Sequence, residues 1–203
     1  MLTLHDNITS GNGYKCRLIL ALKGTPYKRI EYDIDKAETR TAAFLGSVNP
    51  NGRIPVLQLA DGSCLPESNA ILFYLAQGTE FLPADKLEQA RVLSWMCFEQ
   101  YSHEPNIATI RYWITHKLEM TPARTAAMPG KREQGFAALD VMEKHLSSKD
   151  WFGAKRYSIG DIALYAYTHV AEEGGFDLKP YPAVRAWISR VASRPGHIPI
   201  TQG

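Results

Sequence analysis

Four short segments hold polar residues at spacings that could do chemistry, and the first of them contains Ser10 and Asn12. Both residues stand where a predicted strand passes into a predicted helix. Hydroxyl and amide side chains cap helices at this position, and the unpaired N–H groups of a first helical turn also attract an anion such as a thiolate. Taken alone, the segment is compatible with a plain helix cap and with an anion site.

The second segment runs from Arg53 to Val56, and its Pro55 stands at the start of a predicted strand. A cis Ile54–Pro55 bond would leave the backbone of Val56 able to pair with a peptide-like ligand, with Arg53 nearby to bind a carboxylate. Only about 5% of X–Pro bonds are cis, so the sequence alone favours the trans form. The alternative is an ordinary edge strand with a solvated arginine.

The third segment contains Glu67 and Ser68 at the start of another predicted helix. The Ser68 hydroxyl and the N–H groups that follow it can hold a carboxylate, while Glu67 can pair with an ammonium group. The two residues together suit the head group of an α-amino acid. The alternative is a helix cap with a favourably placed acid, and the two interpretations are compatible.

The fourth segment is interpreted as structural. Ser158 and Asp161 have the spacing of a capping box, and Tyr157 with Ile162 has that of a hydrophobic staple. We expect this segment to fix where a buried helix begins.

Composition and charge exclude several classes of protein. The chain has 203 residues, enough to bury a core without a disulfide or metal, and its 23 Lys and Arg against 21 Asp and Glu include no long basic block for nucleic acid. No apolar stretch is long enough to span a membrane and no signal peptide is recognisable, so we expect a cytoplasmic protein without a membrane partner. Cys16, Cys64 and Cys97 lack the spacing of a zinc or dithiol site, and no metal is predicted.

Apolar periodicity and turn residues predict an α/β organisation for the first part of the chain. The predicted strands cover residues 2–5, 28–33 and 54–59, the last in a hairpin with 64–65, and the predicted helices cover 13–23, 36–46 and 68–77. The first strand, helix and strand should form a parallel pair joined by a right-handed crossover.

Strand signals stop after a linker at 79–85, and the remainder is predicted to be all-helical. A long helix over 86–118 should bend near Pro105, and residues 119–130, which contain two prolines, are predicted to form a loop. Further helices are predicted at 131–147, 159–172 and 183–194. The predicted domains are residues 1–78 and 86–203.

Together, these segments resemble the cytosolic glutathione transferase superfamily over essentially the whole chain. The resemblance is carried by the run 49–57, the run 65–75 and the capping box at 158–161, in that order and at the family's spacing. It implies a thioredoxin-like N-terminal domain followed by an all-α C-terminal domain. It also implies glutathione as the co-substrate.

The resemblance gives the binding candidates their expected roles. Pro55 corresponds to the family's cis-proline, and its neighbour Val56 is expected to pair through its backbone with the cysteinyl part of glutathione, in the same turn as Ile54. Glu67 and Ser68 are expected to bind the ammonium and carboxylate groups of the γ-glutamyl end. A further candidate, Arg53, is expected to meet the glycine carboxylate.

Two residues are candidates for activating the thiol. Ser10 matches the hydroxyl position of the serine-type classes, and Asn12 matches the amide position of the nu-like classes. Lowering a thiol pKa from about 8.5 to about 6.5 requires roughly 2.7 kcal/mol, which one charge-assisted hydrogen bond and a helix N-terminus can supply. No tyrosine ends the first strand, so the tyrosine-type classes are not predicted. Cys16, one turn inside the helix, is interpreted as a packing residue.

The activity implied by the resemblance is a glutathione S-transferase whose sulfur attacks a small hydrophobic electrophile. A second pocket is predicted along the long helix, with core packing as the alternative for each of its candidates Tyr101, Glu104, Ile107, Arg111 and Tyr112. The competing functions are a glutathione-dependent disulfide-bond reductase or peroxidase, and a non-catalytic binding module on the same fold. A homodimer is expected through the helices at 68–77 and 86–100.

Overall fold

The N-terminal unit is built on a four-stranded sheet in the order β2-β1-β3-β4. Strand β1 (Leu2–Asp6) pairs in parallel with β2 (Tyr27–Glu31), and β3 (Val56–Gln58) pairs antiparallel with both β1 and β4 (Cys64–Pro66). Helix α1 (Gly11–Leu22) connects the two parallel strands. The predicted strand–helix–strand unit and the hairpin are therefore both confirmed.

Helices α1 and α3 (Ser68–Ala76) pack against each other, and their apolar side chains form much of the core of this unit. Leu18, Leu57, Ile71 and Leu72 are completely buried. Because the two helices are in contact, residues near the start of each can meet, which positions the candidate site described below.

The segment predicted as one helix over 36–46 is divided in the structure. A short 3-10 turn covers Glu38–Arg40, and helix α2 covers Ala42–Ser47. The Thr41 hydroxyl accepts a hydrogen bond from the Phe44 N–H, so Thr41 is the N-cap of a helix that begins later than the apolar pattern indicated.

The computed structural model describes all 203 residues, and the chain divides into a unit of residues 1–79 with 194–203 and a unit of residues 80–193. The prediction had placed 86–203 together in the helical domain. The last ten residues instead join the first unit, because α1 holds their backbone. The Tyr14 hydroxyl donates to the Ile198 carbonyl at 2.7 Å, and Arg17 donates to the Ile200 carbonyl at 2.9 Å.

The long helix predicted over 86–118 is interrupted close to the predicted position. Helix α4 (Lys86–Phe98) continues through a π-helical turn (Glu99–His103) into α5 (Glu104–Thr115). Pro105 lies in the first turn of α5, where its missing N–H costs little. Immediately before it, the Glu104 N–H donates to the Glu99 carbonyl five residues back, the hydrogen-bond pattern of a π-helical turn.

The loop predicted over 119–130 is wrong, because helix α6 covers Pro122–Leu146. Thr121 caps it by accepting from the Arg124 N–H, and Pro122 occupies a first-turn position that favours helix initiation. Pro129 lies inside the helix on its exposed side. Two prolines were interpreted as helix breakers, although one of them marks a helix start.

The last helices surround the core of the second unit. Helix α7 (Ile159–Thr168) is buried along its whole length and is followed by a 3-10 turn (Ala171–Gly174) and by α8 (Pro182–Ala192). The predicted capping box is confirmed. The Ser158 N–H donates to the Asp161 carboxylate, and the Ser158 hydroxyl accepts from the Gly160 N–H in the first turn of the helix. No helix in the structure combines the length and the apolar character needed to cross a membrane.

Candidate functional site

Ser10 is the N-cap of α1, as the sequence predicted. Its backbone is extended (φ −72°, ψ 120°), and its Oγ accepts a hydrogen bond from the Gly13 N–H at 3.1 Å. A hydroxyl that accepts in this way still has its own hydrogen to donate. The half-buried Ser10 can therefore cap the helix and donate to an anion at the same time.

A buried ion pair lies between the end of β1 and helix α1, and the sequence analysis missed it. Asp6, at the end of β1, pairs with Arg17 at 2.6 Å, and both side chains are completely buried. Burial raises the pKa of Asp6 to about 6 although the Arg17 guanidinium stands beside it. A Cβ atom added to Gly13 would lie 1.6 Å from Asp6 Oδ1, so the carboxylate occupies the space that only glycine leaves there. An arginine on an otherwise buried helix was the available signal.

Ser68 is the first residue of α3 and is buried, whereas Glu67 before it is exposed. Glu67 has φ 73° and ψ 110°, a left-handed conformation that residues with a Cβ rarely adopt. Strain of this kind costs about 1–3 kcal/mol and is concentrated at functional sites. The backbone at this position holds the Glu67 carboxylate at the surface beside the start of the helix.

The starts of α1 and α3 meet through side-chain hydrogen bonds. The Ser68 hydroxyl donates to Asn12 Oδ1 at 3.3 Å, and the Lys15 ammonium donates to Ser68 Oγ at 3.3 Å and to Asn69 Oδ1 at 3.4 Å. Lys15 is completely buried. The sequence analysis predicted Asn12 and Ser68 but missed Lys15, whose charge inside a buried helix was the only signal.

The loop before β3 is shaped by Asn49, which is buried. Its amide donates to the Arg53 carbonyl at 2.9 Å, and its Oδ1 accepts from the Asn51 N–H at 3.0 Å. Gly52 has φ 63° and lies so close to the Arg40 side chain that a Cβ atom would be 2.6 Å from Nη1. These contacts deliver the chain to the Ile54–Pro55 bond, which is cis, as the resemblance implied and against the general preference for trans.

The sheet already uses the backbone of Val56. Residues of β3 turn their backbone groups alternately to the two neighbouring strands, and the Leu59 N–H donates to the Ser63 carbonyl on the β4 side at 2.8 Å. Val56, three residues earlier, therefore turns to β1, where His5 is its partner. This corrects the expectation that Val56 pairs with a ligand. Ile54 precedes β3, so its backbone lies outside this ladder.

Pro55 is buried beneath this turn, and Arg53 is exposed at its rim. The structure therefore brings five predicted residues to the first turns of α1 and α3 and to the turn before β3, while Arg53 and Glu67 extend toward solvent. The five are Ser10, Asn12, Ile54, Pro55 and Ser68.

The candidates for a second pocket lie in the helical unit and do not form one cluster within it. Tyr101, whose surface is 88% exposed, lines a groove of about 560 Å³ against α6. Ile107 is completely buried against Gly135, which supports the core-packing alternative for this residue. Arg111 pairs with Glu173 at 2.7 Å.

The two remaining candidates of this group, Glu104 and Tyr112, are half-buried. The ring of Tyr112 lies 4.2 Å from that of His116, centroid to centroid.

Comparison with known protein families assigns the two units. Residues 1–77 match the model of the glutathione S-transferase N-terminal domain, and residues 108–195 match that of the glutathione S-transferase C-terminal domain. The chain belongs to the glutathione S-transferase family. The four-stranded mixed sheet followed by a helical unit is the fold of that family, and the resemblance inferred from the motifs is confirmed.

Solved structures of bacterial relatives superpose closely. A glutathione S-transferase from Pseudomonas fluorescens Pf-5 is 49% identical, with a TM-score of 0.95 and 99% of each chain covered. A possible glutathione S-transferase from Rhodopseudomonas palustris is 46% identical with a TM-score of 0.95, and the match covers 100% of this chain and 98% of the other.

A relative is also found by sequence. The disulfide-bond oxidoreductase YfcG of Escherichia coli K12 is 30% identical over 191 residues, and the match covers 91% of this chain and 87% of YfcG.

Proposed function

We propose that the protein binds glutathione on its first unit, with the thiol at the start of α1 and the γ-glutamyl group at the start of α3. One observation carries this proposal, namely the contact of 3.3 Å between Ser68 Oγ and Asn12 Oδ1, which joins the first turns of the two helices. Each helix start carries the positive end of a helix dipole, and the N–H groups of a first helical turn can bind an anion. Two anionic groups of one small ligand, a thiolate and a carboxylate, can therefore be held side by side.

The other candidates complete the binding of the tripeptide. The N–H groups at Ser68 and Asn69 suit the γ-glutamyl carboxylate, and the exposed Glu67 suits its ammonium group. Ile54 is proposed to pair with the cysteinyl backbone in place of Val56. Arg53 is proposed to bind the glycine carboxylate through its guanidinium group.

The thiol is proposed to lose its proton to solvent because the thiolate is stabilised at the start of α1. Ser10 and Asn12 can each donate a hydrogen bond to the sulfur, worth about 2 kcal/mol when the acceptor is charged. Cys16, the cysteine nearest to Asn12 in sequence, cannot replace glutathione as the source of the thiolate. Cys16 is completely buried, and burial raises the pKa of its thiol far above the ordinary value.

Transfer to an electrophile is the first candidate reaction. The thiolate sulfur attacks an electrophilic carbon, a carbon–sulfur bond forms, and the leaving group departs with the electron pair of the broken bond. The buried Ile107 and the ion-paired Arg111 are assigned to the framework of the helical unit.

Disulfide reduction is the second candidate, favoured by the similarity to the disulfide-bond oxidoreductase of E. coli. Here the bound thiolate attacks one sulfur of a disulfide, forms a mixed disulfide and releases the other sulfur as a thiolate. A second glutathione then attacks the mixed disulfide, which releases the reduced product and oxidised glutathione. The same site therefore serves both reactions.

The test compares two assays on wild type, Ser10→Ala and Asn12→Ala. One assay uses an activated aryl chloride and the other a small dialkyl disulfide, both with glutathione. Thr41→Ala is the matched control, because Thr41 caps α2 in the same unit. We expect loss of one activity by at least about tenfold in one site variant, the effect of roughly 1.4 kcal/mol, with the control unchanged. Glutathione binding without turnover in either assay would contradict both candidate reactions and indicate a binding module.

A further inference from the structure

Lys15 lies one turn after Asn12 on α1, and it is completely buried. Its ammonium nitrogen lies 3.3 Å from Ser68 Oγ and 3.4 Å from Asn69 Oδ1. An ammonium group donates hydrogen bonds and accepts none. Ser68 Oγ must therefore act as the acceptor in its contact with Lys15.

A second hydrogen bond continues this chain from Ser68 to Asn12. A serine hydroxyl has one hydrogen, and Asn12 Oδ1 lies 3.3 Å from Ser68 Oγ as its acceptor. The carbonyl side of the Asn12 amide thus faces Ser68. The NH₂ group lies on the other side of the same planar amide and is therefore directed to a different point from the oxygen.

We infer that Lys15 is a positioning residue that orients the Asn12 amide, so that Asn12 presents its NH₂ group, and not its oxygen, to the sulfur of glutathione. This inference rests on the proposed function. The orientation matters because a thiolate accepts hydrogen bonds, and an amide turned the other way would place an oxygen against a negative charge. A cationic donor also strengthens the hydrogen bonds that follow it in the chain.

A second lysine, the C-cap residue of α1, distinguishes positioning of Asn12 from simple attachment of α1 to α3. The Lys23 ammonium donates to the Leu75 carbonyl at 2.5 Å, at the far end of the same pair of helices. Lys23 therefore ties the two helices together without any contact to Asn12 or Ser68. Replacing the half-buried Lys23 removes one lysine charge and one link between the same two helices, which makes Lys23→Met the control for Lys15→Met.

The experiment is an ultraviolet titration of the thiol of bound glutathione in wild type, Lys15→Met and Lys23→Met. In Lys15→Met we expect the thiol pKa to rise by about one unit, which corresponds to roughly a tenfold loss of thiolate at low pH. Lys23→Met should titrate like wild type. At a pH where the thiol is neutral, the dissociation constant of glutathione should change by much less than the tenfold that corresponds to this rise in pKa.

A double-mutant cycle tests whether Lys15 acts through Asn12. In the Asn12→Ala background, Lys15→Met should produce no further rise in the thiol pKa, because the amide that it orients is gone. Ser68→Ala interrupts the same chain without removing a lysine and should raise the pKa in the same way, so the inference is testable even if Lys15→Met fails to fold.

Three outcomes are distinguishable. An unchanged thiol pKa in both Lys15→Met and Ser68→Ala would overturn the role of Lys15, and so would an equal rise in the Asn12→Ala background. A wild-type protein that binds no glutathione, or binds it without ionising the thiol, would instead overturn the proposed function.

Discussion

At Glu67 the backbone conformation, with a φ of 73°, favours a glycine, whereas the proposed function needs an acidic side chain. We predict that Glu67→Gly raises the free energy of unfolding by up to about 1 kcal/mol, because the strain disappears, while the affinity for glutathione falls. Urea unfolding and titration calorimetry measure the two effects separately.

Glu67→Gln is the control for this prediction, since it keeps the strained backbone and removes only the charge. It should leave the stability close to that of wild type and lower the affinity as Glu67→Gly does. Equal affinity in all three proteins would show that Glu67 does not contact the ligand.

The site residues that the sequence predicted are those whose position follows from local structure. Ser10 caps a helix and Ser68 opens one, and the hydroxyl at a helix start can be recognised from its neighbours alone. Lys15 and the pair Asp6–Arg17 were missed because their partners lie on other elements. Val56 was assigned to the ligand because a single strand does not reveal which of its sides is already paired.

Among the elements, α1 depends on the close approach of Gly13 to Asp6. We predict that Gly13→Ala destabilises the protein, although alanine normally stabilises a helix by about 1 kcal/mol relative to glycine. The reason is the distance of 1.6 Å between the added Cβ atom and Asp6 Oδ1, which forces α1 away from β1. Thermal and urea unfolding measure the change.

Gly46→Ala provides the comparison within the same unit. Gly46 lies in α2, and apart from its chain neighbours and the backbone of its own helix no atom lies within 4 Å of the position of its Cβ. This variant should be as stable as wild type or more stable. If Gly13→Ala behaved in the same way as Gly46→Ala, the contact between Asp6 and α1 would not support the helix start.

Helix α7 makes stability depend on pH through Asp161. Burial raises the pKa of Asp161 from its ordinary value of 3.8 to about 7 in the folded protein. It does so although Ser158, Phe152 and Trp187 donate hydrogen bonds to the carboxylate. Between these pH values the folded state binds a proton that the unfolded state has lost. The contribution of this residue to stability therefore falls as the pH rises, by at most about 1.4 kcal/mol per pH unit.

The measurement is urea unfolding of wild type and Asp161→Asn between about pH 4 and pH 7, the window set by the two pKa values. The asparagine variant lacks the titration, so its destabilisation relative to wild type should shrink as the pH rises. A difference that stays constant would mean that Asp161 has the same pKa in both states.

Secondary structure was predicted well where local signals agreed and poorly where they conflicted. The capping box fixed the start of α7, and the hairpin turn fixed the β3–β4 pair. In α6, Thr121 and Pro122 signalled a helix start while Pro129 signalled a break. The start signals prevailed because the apolar face of this helix is buried in the core of its unit, and that burial depends on tertiary packing.

On the scale of the whole molecule, the end of the chain stabilises its beginning. Residues 194–203 join the first unit because Tyr14 and Arg17 of α1 bind the carbonyl groups of Ile198 and Ile200. The sequence did not indicate this, since the bonds involve backbone groups that any residue type provides. The predicted boundaries at 78 and 86 describe where the chain leaves the first unit, and they do not include its return to that unit at residue 194.

Exposed apolar side chains on two helices support the expectation of a homodimer. Tyr74 on α3 is 47% exposed, and Leu87 and Leu93 on α4 are 58% and 39% exposed. We predict that the protein sediments as a dimer at micromolar concentration and that Leu87→Glu shifts it toward monomer, since a charge cannot be buried in an apolar interface without cost.

Val141→Glu is the matched control for the dimer, because Val141 is 47% exposed on α6, outside the two predicted helices. It should sediment like wild type. A wild-type monomer at the same concentration would contradict the prediction.

The central claim is that the start of α1 activates the thiol of glutathione, and an ultraviolet titration of bound glutathione tests it most directly. Wild type, Ser10→Ala and Asn12→Ala are compared across pH. We predict a thiolate band near neutral pH in wild type that one of the two substitutions abolishes, which would identify the activating residue. Glutathione that binds without ionising, or a thiolate that survives in both variants, would contradict the account.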